Sequence, residues 1–462
     1  MTKNHHVEDI QDNIQFQLTD ELIEKVEILI EDENDKEIKL FLNEYHYADI
    51  AEILDELDVE DAVYIIKLLD SGLTSDILME LDEDNRENIL KHLSAKEIAE
   101  EIEELDTDDA ADIIAELPED RKDDVISKIE DQEHKAEIEE LLAYDEDTAG
   151  GLMAKELVKV YETWTVAGCL RRIRGQAKDV TRVHSIYVVD KAEKLIGRLS
   201  LKDLIVAKSE QKIAEIAKEN VDWVNVNDDA EDVARVMAKY DLEAIPVVDD
   251  KQTLLGRITI DDIVDVLKEE ADKDYQLAAG ITQGVEADDS ILQLTRARLP
   301  WLFLGLVGGV GAFLIMEGFQ DAFNKYAVLF FFTPLIAAMA GNVGVQSSAI
   351  IVQGLANDDV KGSVNSRLIK EMLLAALNGT ILALFLFLFV WATKGDFSTA
   401  LAISVSLIAV IIVAGLIGTF VPLFLDKRGI DPAIATGPFI TTSNDIFGIL
   451  IYFWIAKMIL GI

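Results

Sequence analysis

The chain has 462 residues, long enough for several domains, and a formal net charge of −45. Its acids are concentrated in residues 1–290, which carry 78 acidic and 32 basic side chains, against 9 and 10 in residues 291–462. Such a charge argues against nucleic acid as a partner. The single cysteine, Cys169, excludes an intrachain disulfide and a cysteine-rich metal site. The 87 carboxylates leave oxygen-ligand metal chemistry open.

The first part of the chain predicts a short polar segment followed by a helical repeat. Residues 1–25 lack the basic patch and apolar stretch of a cleaved signal, so we expect the acidic part to be cytosolic. Residues 26–144 form an acidic domain in which Asp49–Leu57 and Asp61–Leu69 recur at one offset, as Glu97–Leu105 and Asp109–Leu117. Short amphipathic helices in tandem are typical of an α-helical solenoid. Asp108 and Asp112, four residues apart, share one helix face, whereas the other outer acids are expected to be solvated.

A second repeat occupies residues 145–271, with one copy at about 155–215 and another at about 219–271. Ile186–Asp190 matches Ile245–Asp249. Each copy predicts a helix, a strand, a turn, a strand and a helix. The pair resembles tandem cystathionine-β-synthase (CBS) domains, a regulatory α/β module.

The stretches Gly197–Asp203 and Gly256–Asp262 share a Gly-x-x-Ser/Thr-x-x-Asp pattern. The pattern resembles the ribose and phosphate contact of adenosyl-binding modules of this type. A glycine lets the backbone approach a ligand, and a hydroxyl and an acid bond it. Gly256, Thr259 and Asp262 are therefore candidate contacts for a regulatory nucleotide such as ATP. The alternative is a module that keeps the pattern and binds nothing.

Residues 299–462 predict an all-α transmembrane domain with five helices, since a bilayer core of ~30 Å needs about 20 apolar residues per helix. The predicted spans are 299–318, 326–355, 367–393, 399–425 and 434–461. Residues 272–298 before them predict an amphipathic linker helix, or plug, with a simple connector as the alternative. Basic residues predict the orientation, because they favour the cytoplasmic side. Seven lie on the side of the acidic domain and three on the other, which predicts a cytoplasmic N-terminal part and an outside C-terminus; the seven are Arg296, Arg298, Lys361, Arg367, Lys370, Lys427 and Arg428.

Asp445 is the residue that simple helix packing does not explain. We identify it as the only acid well inside a predicted span, and the fifth span holds no basic residue near it. An ionised Asp at that depth costs ~2.5–3.5 kcal/mol, and such residues mark ion paths by default. The alternative is a structural, protonated Asp. Pro438 is expected to remove a helical bond and free carbonyl groups for a hydrated ion.

The whole chain resembles the MgtE family of magnesium channels and transporters. The resemblance rests on the domain order and on the segments Tyr144–Met153, Gly341–Gln346 and Pro438–Asp445. It implies a homodimer in lipid with a pore between subunits and Asp445 as the pore acid. Gly437 would be a pore-proximal position, where some relatives carry a polar side chain. Mg²⁺ prefers oxygen ligands and loses water reluctantly, so Asn342, Gln346 and Thr441 can supply further oxygens around a hydrated ion.

The same resemblance suggests a cytosolic Mg²⁺ sensor. Asp262, Asp265 and Glu269 share one helix face, with Glu270 beside them. The family places such acids near Asp241, facing Asp108 and Asp112 across a gap. The alternative is an ordinary exposed acidic helix.

The function expected from this reading is Mg²⁺ uptake across the cytoplasmic membrane, gated by intracellular Mg²⁺. No catalytic constellation is recognised, so we do not expect an enzyme. Two alternatives stay open: a broader transporter that also carries Co²⁺ or Mn²⁺, and a membrane-bound Mg²⁺ or nucleotide sensor that transports nothing. An anion channel is disfavoured, because anion pores use basic side chains or helix N-termini and the spans bury no base.

Overall fold

The computed structural model describes residues 16–178, 180, 182–282, 284–285, 289–357, 360 and 362–461. The expectation for residues 1–25 therefore lies mostly outside the described residues, as does the orienting base Lys361. The chain divides into two compact units, Met1–Leu267 and Lys268–Ile462.

The first unit begins with the solenoid that the repeat predicts. Four of the ten solenoid helices start after a residue whose side chain accepts from their free N–H groups. At one of them the Ser94 hydroxyl accepts from Glu97 N–H, and the Glu97 carboxylate accepts in return. Helices pack on the next but one along the chain, as α3 does on α5 and α8 on α10. The solenoid helices are α1 Asp20–Glu31, α2 Asp35–Leu42, α3 Tyr47–Asp55, α4 Val59–Leu68, α5 Ser71–Glu80, α6 Glu83–His92, α7 Ala95–Ile102, α8 Thr107–Glu116, α9 Glu119–Lys128 and α10 Gln132–Leu141. The repeat is confirmed, since α7 and α8 reproduce the spacing of α3 and α4.

The second half of this unit contains two three-stranded sheets. In each sheet the central strand pairs parallel with the strand before it and antiparallel with the strand after it. The hairpins β2–β3 and β5–β6 confirm the predicted strands, whereas the leading strands β1 and β4 were missed. The elements are β1 Val158–Tyr161, α11 Val166–Gln176, β2 Ile186–Val189, β3 Leu195–Leu199, α12 Leu201–Val206, β4 Val224–Asn225, α13 Ala230–Tyr240, β5 Ala244–Val248, β6 Leu254–Thr259 and α14 Ile260–Ala279, with a 3-10 turn at Ile213–Glu215.

The predicted linker helix at 272–298 is divided in two by the structure. Residues up to Ala279 continue α14, and α15 begins at Ile291. The break follows from helix-end chemistry: Gly280 has a positive φ of 82°, and Ile281 N–H reaches back to Gln276 C=O at 2.9 Å. Ser290 then caps the start of α15.

Five helices of the described residues are long and apolar enough to cross a membrane. They are α15 Ile291–Gly318, α17 Val328–Ala356, α18 Val364–Lys394, α19 Phe397–Asp426 and α20 Gly437–Leu460, with the short α16 Gln320–Lys325 between the first two and a 3-10 turn at Pro432–Ala435. Helix α19 is central and packs against α17, α18 and α20, and α15 packs against α20.

The expected effect of Pro438 is wrong. Helix α20 begins at Gly437, so Pro438 stands in its first turn. The N–H groups of a first turn have no partner within the helix, so a proline there sacrifices no helical bond.

Candidate functional site

An open cavity of about 500 Å³ lies between α17 and α20. One face of α17 supplies Asn342 and Gln346, and α20 supplies Thr441 and Asp445. The Thr441 hydroxyl donates to Gly437 C=O at 2.9 Å, so its oxygen keeps lone pairs for another donor. The structure therefore places four of the predicted pore residues around one cavity, and each of the four carries a side-chain oxygen; they are Asn342, Gln346, Thr441 and Asp445.

A second cavity, of about 710 Å³, also reaches Asp445 and Thr441. It is lined from α15 by Arg298 and Trp301, and by Gly280 after the end of α14. Asp445 is therefore accessible from two cavities. A basic residue from another helix also lies in this neighbourhood, because Arg298 of α15 lines one of these cavities with Asp445.

Gly437 lies against the backbone of the preceding segment. Its φ is +45°, and a Cβ atom there would lie 2.0 Å from Ala278 C=O. In this conformation the position cannot accept a side chain, because both the backbone angle and the space require glycine. Its predicted role beside the pore stays a prediction.

Glu371 was missed by the sequence reading, which took Asp445 as the only deep acid. Glu371 lies seven positions after Val364, the first residue of α18, and its carboxylate accepts from the Ser347 hydroxyl at 2.6 Å. The sequence did not single out Glu371, because the nearby basic residues Arg367 and Lys370 suggested an exposed helix start.

An acidic cluster in the first unit surrounds the start of α8. Carboxylate oxygens of Asp106, Asp108 and Glu156 lie within 4.8 Å of one another. The Thr107 hydroxyl fixes Glu156 by donating to it at 2.9 Å. Arg257 approaches Asp106 at 3.5 Å. Such a set of hard oxygen ligands fits Mg²⁺. The sequence analysis missed Asp106 and Glu156 because this group of three acids forms only in the fold, where Glu156 comes from a distant part of the sequence.

The cluster holds carboxylates that resist ionisation. Burial raises the pKa of Asp108 well above its ordinary range, with the charges of Asp109 and Asp262 adding to the effect. Burial likewise raises the pKa of Asp109 to about 8, helped by Asp262 and Asp106. Without a cation, crowded acids of this kind keep protons because their mutual repulsion is unrelieved.

Asp112 and Asp262 extend the cluster at its two ends. Surrounding protein and the charges of Glu146 and Glu116 raise the pKa of Asp112 to about 7. Its side chain is nevertheless exposed, so solvent screens it more than Asp108. Burial raises the pKa of Asp262 to about 6, although hydrogen bonds from Thr259 oppose the shift.

The other predicted sensor acids are placed less closely. Asp265 and Glu269 lie exposed on α14, and Glu270 is half-buried there. Asp241 ends α13 in a left-handed conformation, also exposed. The charge of Asp262 therefore acts on both Asp108 and Asp112. The role of all seven acids as Mg²⁺ sensor ligands stays a prediction.

The nucleotide pattern also has a local structural role. The Thr259 N–H and hydroxyl both donate to Asp262 at 2.8 Å, which closes the first turn of α14. A Cβ atom at Gly256 would lie 2.6 Å from Ala154 C=O. Ser200 and Asp203 form the same capping box in the first copy. Folding alone thus explains the three residue types, whether or not a ligand binds.

Comparison with family models covers most of the chain. Residues 45–147 match the MgtE intracellular N domain, and residues 149–210 and 213–269 match CBS domains. Residues 333–455 match MgtE, described as a divalent cation transporter.

Individual relatives agree with these matches. The magnesium transporter MgtE of Enterococcus faecalis is 38% identical over 69% of this chain and 70% of its own length. That of Thermus thermophilus is 37% identical over 69% and 72%. A crystal structure of the cytosolic domain of the Mg²⁺ channel MgtE in complex with ATP is 36% identical, with a TM-score of 0.50, over 53% of this chain and 99% of that one.

Proposed function

Because this chain belongs to the MgtE family of magnesium transporters, we propose that it is a Mg²⁺-selective channel or transporter gated by cytosolic Mg²⁺. The observation that carries the proposal is the position of Asp445, an intramembrane carboxylate that lines two cavities. An acid in a span is costly, and acids that are found there mark ion paths.

The cavity chemistry suits a hydrated cation. Mg²⁺ keeps several waters, so its ligands contact those waters more readily than the ion. The Asp445 carboxylate supplies charge, and Asn342, Gln346 and Thr441 supply neutral oxygens. The driving force is the ion gradient and membrane potential, with no enzymatic step.

We propose a homodimer, which would pair two Asp445 side chains around one path. Exposed apolar residues support a second copy as the partner of the CBS pair. Leu201 and Ile205 on α12 are exposed, and so are Ile260 and Val264 on α14, the equivalent positions of the second repeat. A self-complementary interface needs such a matched surface. We expect the contact between the two CBS pairs to be apolar. We also expect the surface of the five spans that contacts lipid to be apolar.

Gating is assigned to the acidic cluster. At low Mg²⁺ its carboxylates repel or hold protons; at high Mg²⁺, bound ions draw α8 and the start of α14 together. Such a shift requires tighter Mg²⁺ binding to the closed state than to the open one. The exposed predicted sites Asp241, Asp265, Glu269 and Glu270 would add further ions as the cytosolic parts approach.

We also propose that ATP binds the CBS pair as a regulatory ligand. The likeness to a cytosolic domain solved with ATP supports this. So do the buried Tyr187 hydroxyl and Arg257 Nε, which lack hydrogen-bond partners within the described residues. Calorimetry on full-length protein with millimolar ATP tests it, and no binding heat would remove the nucleotide while leaving the fold unaffected.

The orientation proposed is a cytosolic N-terminal part with five spans in the cytoplasmic (inner) membrane, which places the C-terminus outside. Arg296 and Arg298 near the start of α15, and Lys427 and Arg428 before α20, support it. A C-terminal tag accessible to protease in intact cells would agree with this topology.

Flux in reconstituted vesicles tests the function and its alternatives. We expect Mg²⁺ influx that falls when Mg²⁺ is also present on the side of the cytosolic domains. Equal flux of Mn²⁺ or Co²⁺ would support a broader divalent transporter. Absence of any divalent flux, with Mg²⁺ binding intact, would support a sensor without transport.

A further inference from the structure

A second carboxylate of the membrane unit lies behind the helix that lines the cavity. Glu371 is seven positions into α18 and Asp445 eight positions into α20. At ~1.5 Å per residue, the two lie roughly 10–12 Å from the starts of their helices. The chain returns to the same membrane side before each of these helices, so both acids lie in the early turns of helices that start from that side.

Glu371 is engaged by a buried hydroxyl. The Ser347 hydroxyl donates to Glu371 Oε1 at 2.6 Å, a short hydrogen bond. Ser347 is 6% exposed. Gly415 on α19 leaves the space, since a Cβ atom there would lie 2.9 Å from Glu371 Oε1. Three membrane helices therefore meet at this bond.

The bond between Ser347 and Glu371 also affects which side chains of α17 face the cavity. Asn342 and Gln346, four residues apart, face the cavity from one side of α17. Ser347 follows Gln346 and points ~100° away around the helix. On a third side Gly344 packs so closely that a Cβ atom there would lie 1.8 Å from the Asn444 amide. Close packing fixes the distance between helices, whereas a hydrogen bond fixes rotation.

We propose that Glu371 is a positioning residue for conduction: its bond with Ser347 holds the rotation of α17 that turns Asn342 and Gln346 into the cavity. The bond acts through geometry and requires an acceptor at Glu371, not a charge. This inference rests on the proposed transport function, but its structural half can be measured without transport.

The first test measures geometry through thiol labelling. In a Cys169→Ser background, a Gln346→Cys variant is treated with a charged methanethiosulfonate reagent in vesicles. We expect Glu371→Leu to slow labelling about tenfold, the order of one lost hydrogen bond. Glu371→Gln, which keeps an acceptor oxygen, should label like the parent. Unchanged labelling in Glu371→Leu would overturn the proposal, even if the protein carries no Mg²⁺.

The second test measures Mg²⁺ flux in variants that keep the native Gln346. Ser347→Ala and Glu371→Leu should each raise the half-saturating Mg²⁺ concentration about tenfold, and the double variant should be no worse than either. Glu371→Gln should stay within about twofold of wild type. Additive losses, or a Gln variant as impaired as Leu, would overturn the positioning role. If Glu371→Leu does not fold, Ser347→Ala and Glu371→Gln carry the comparison. A wild type without flux would instead refute the transport function.

Discussion

Carboxylates are sparse in the membrane unit and crowded in the cytosolic unit. Asp445 faces its cavities with amide and hydroxyl oxygens around it, whereas Asp106, Asp108 and Glu156 lie within 4.8 Å of one another. A permeating ion must leave again, which favours one charge acting through water. A sensor must bind its ion although its carboxylates repel one another and also bind protons. Such binding favours several charges around the ion. The difference predicts that mutations in the two regions change different quantities.

The largest effect is expected from removing the membrane carboxylate. Asp445→Asn preserves shape but removes the charge that attracts a hydrated cation, so Mg²⁺ flux should fall at least 100-fold, about 2.8 kcal/mol. Flux is measured in vesicles, with dimer formation followed by size-exclusion chromatography. Asp431→Asn, outside the membrane helices, serves as the matched control. Wild-type flux in Asp445→Asn would remove Asp445 from the ion path.

The cytosolic cluster is expected to set the Mg²⁺ concentration for closure, not the flux of the open state. Asp108→Asn combined with Asp262→Asn should raise the Mg²⁺ needed for protease protection of residues 1–271 about tenfold, because ligand charge tunes affinity. The background is 0.15 M KCl, where screening reaches ~8 Å. The fragment is expected to fold, since a related cytosolic domain crystallised alone.

The repeat supplies the control for this experiment. Glu60 and Asp61 in α4 occupy the positions equivalent to Asp108 and Asp109 in α8. Glu60→Gln with Asp61→Asn removes two charges from the same kind of helix outside the cluster, and should leave the protection curve unchanged. If control and cluster variants shift alike, or KCl alone protects, general screening explains the effect and the sensor assignment is wrong.

The sequence predicted the large features because repetition and hydrophobicity are local signals. The offset from Asp49 to Glu97 predicted the helical repeat, and apolar length predicted the spans. Asp445 stood out because an acid within an apolar run needs an explanation. Glu156 and Glu371 did not stand out, because their importance comes from partners distant in sequence. The break at Gly280 was missed because helical periodicity continues on both sides of it.

A pH dependence separates the two regions further. Burial raises the pKa of Asp109 to about 8, and the surrounding protein and neighbouring acids raise that of Asp112 to about 7, whereas an unfolded Asp titrates near 3.9. The folded form therefore holds protons that the unfolded chain has released, so stability is highest at low pH and falls as pH rises towards 8. In EDTA, the melting temperature of residues 1–271 should fall from pH 6 to pH 8.

Magnesium should reverse that trend, because it binds the ionised carboxylates and must displace their protons. Apparent Mg²⁺ affinity should rise several-fold over the same pH range, measured by calorimetry. In EDTA, Asp109→Asn should make the melting temperature depend less on pH. A melting temperature that rises with pH without metal would contradict the raised pKa values.

The smallest effect is expected from the neutral oxygens of the cavity. Gln346→Leu and Asn342→Leu keep the approximate side-chain volume and remove one amide each, so each should reduce flux about fivefold, or ~1 kcal/mol. Neither should abolish it, because the Asp445 charge remains. Phe385→Leu, exposed on α18, is the control for altered lipid contact. If the amide variants match this control, the waters bound to the passing ion do not contact α17. The side-chain oxygens left to contact the ion would then come from α20, by Asp445 and Thr441.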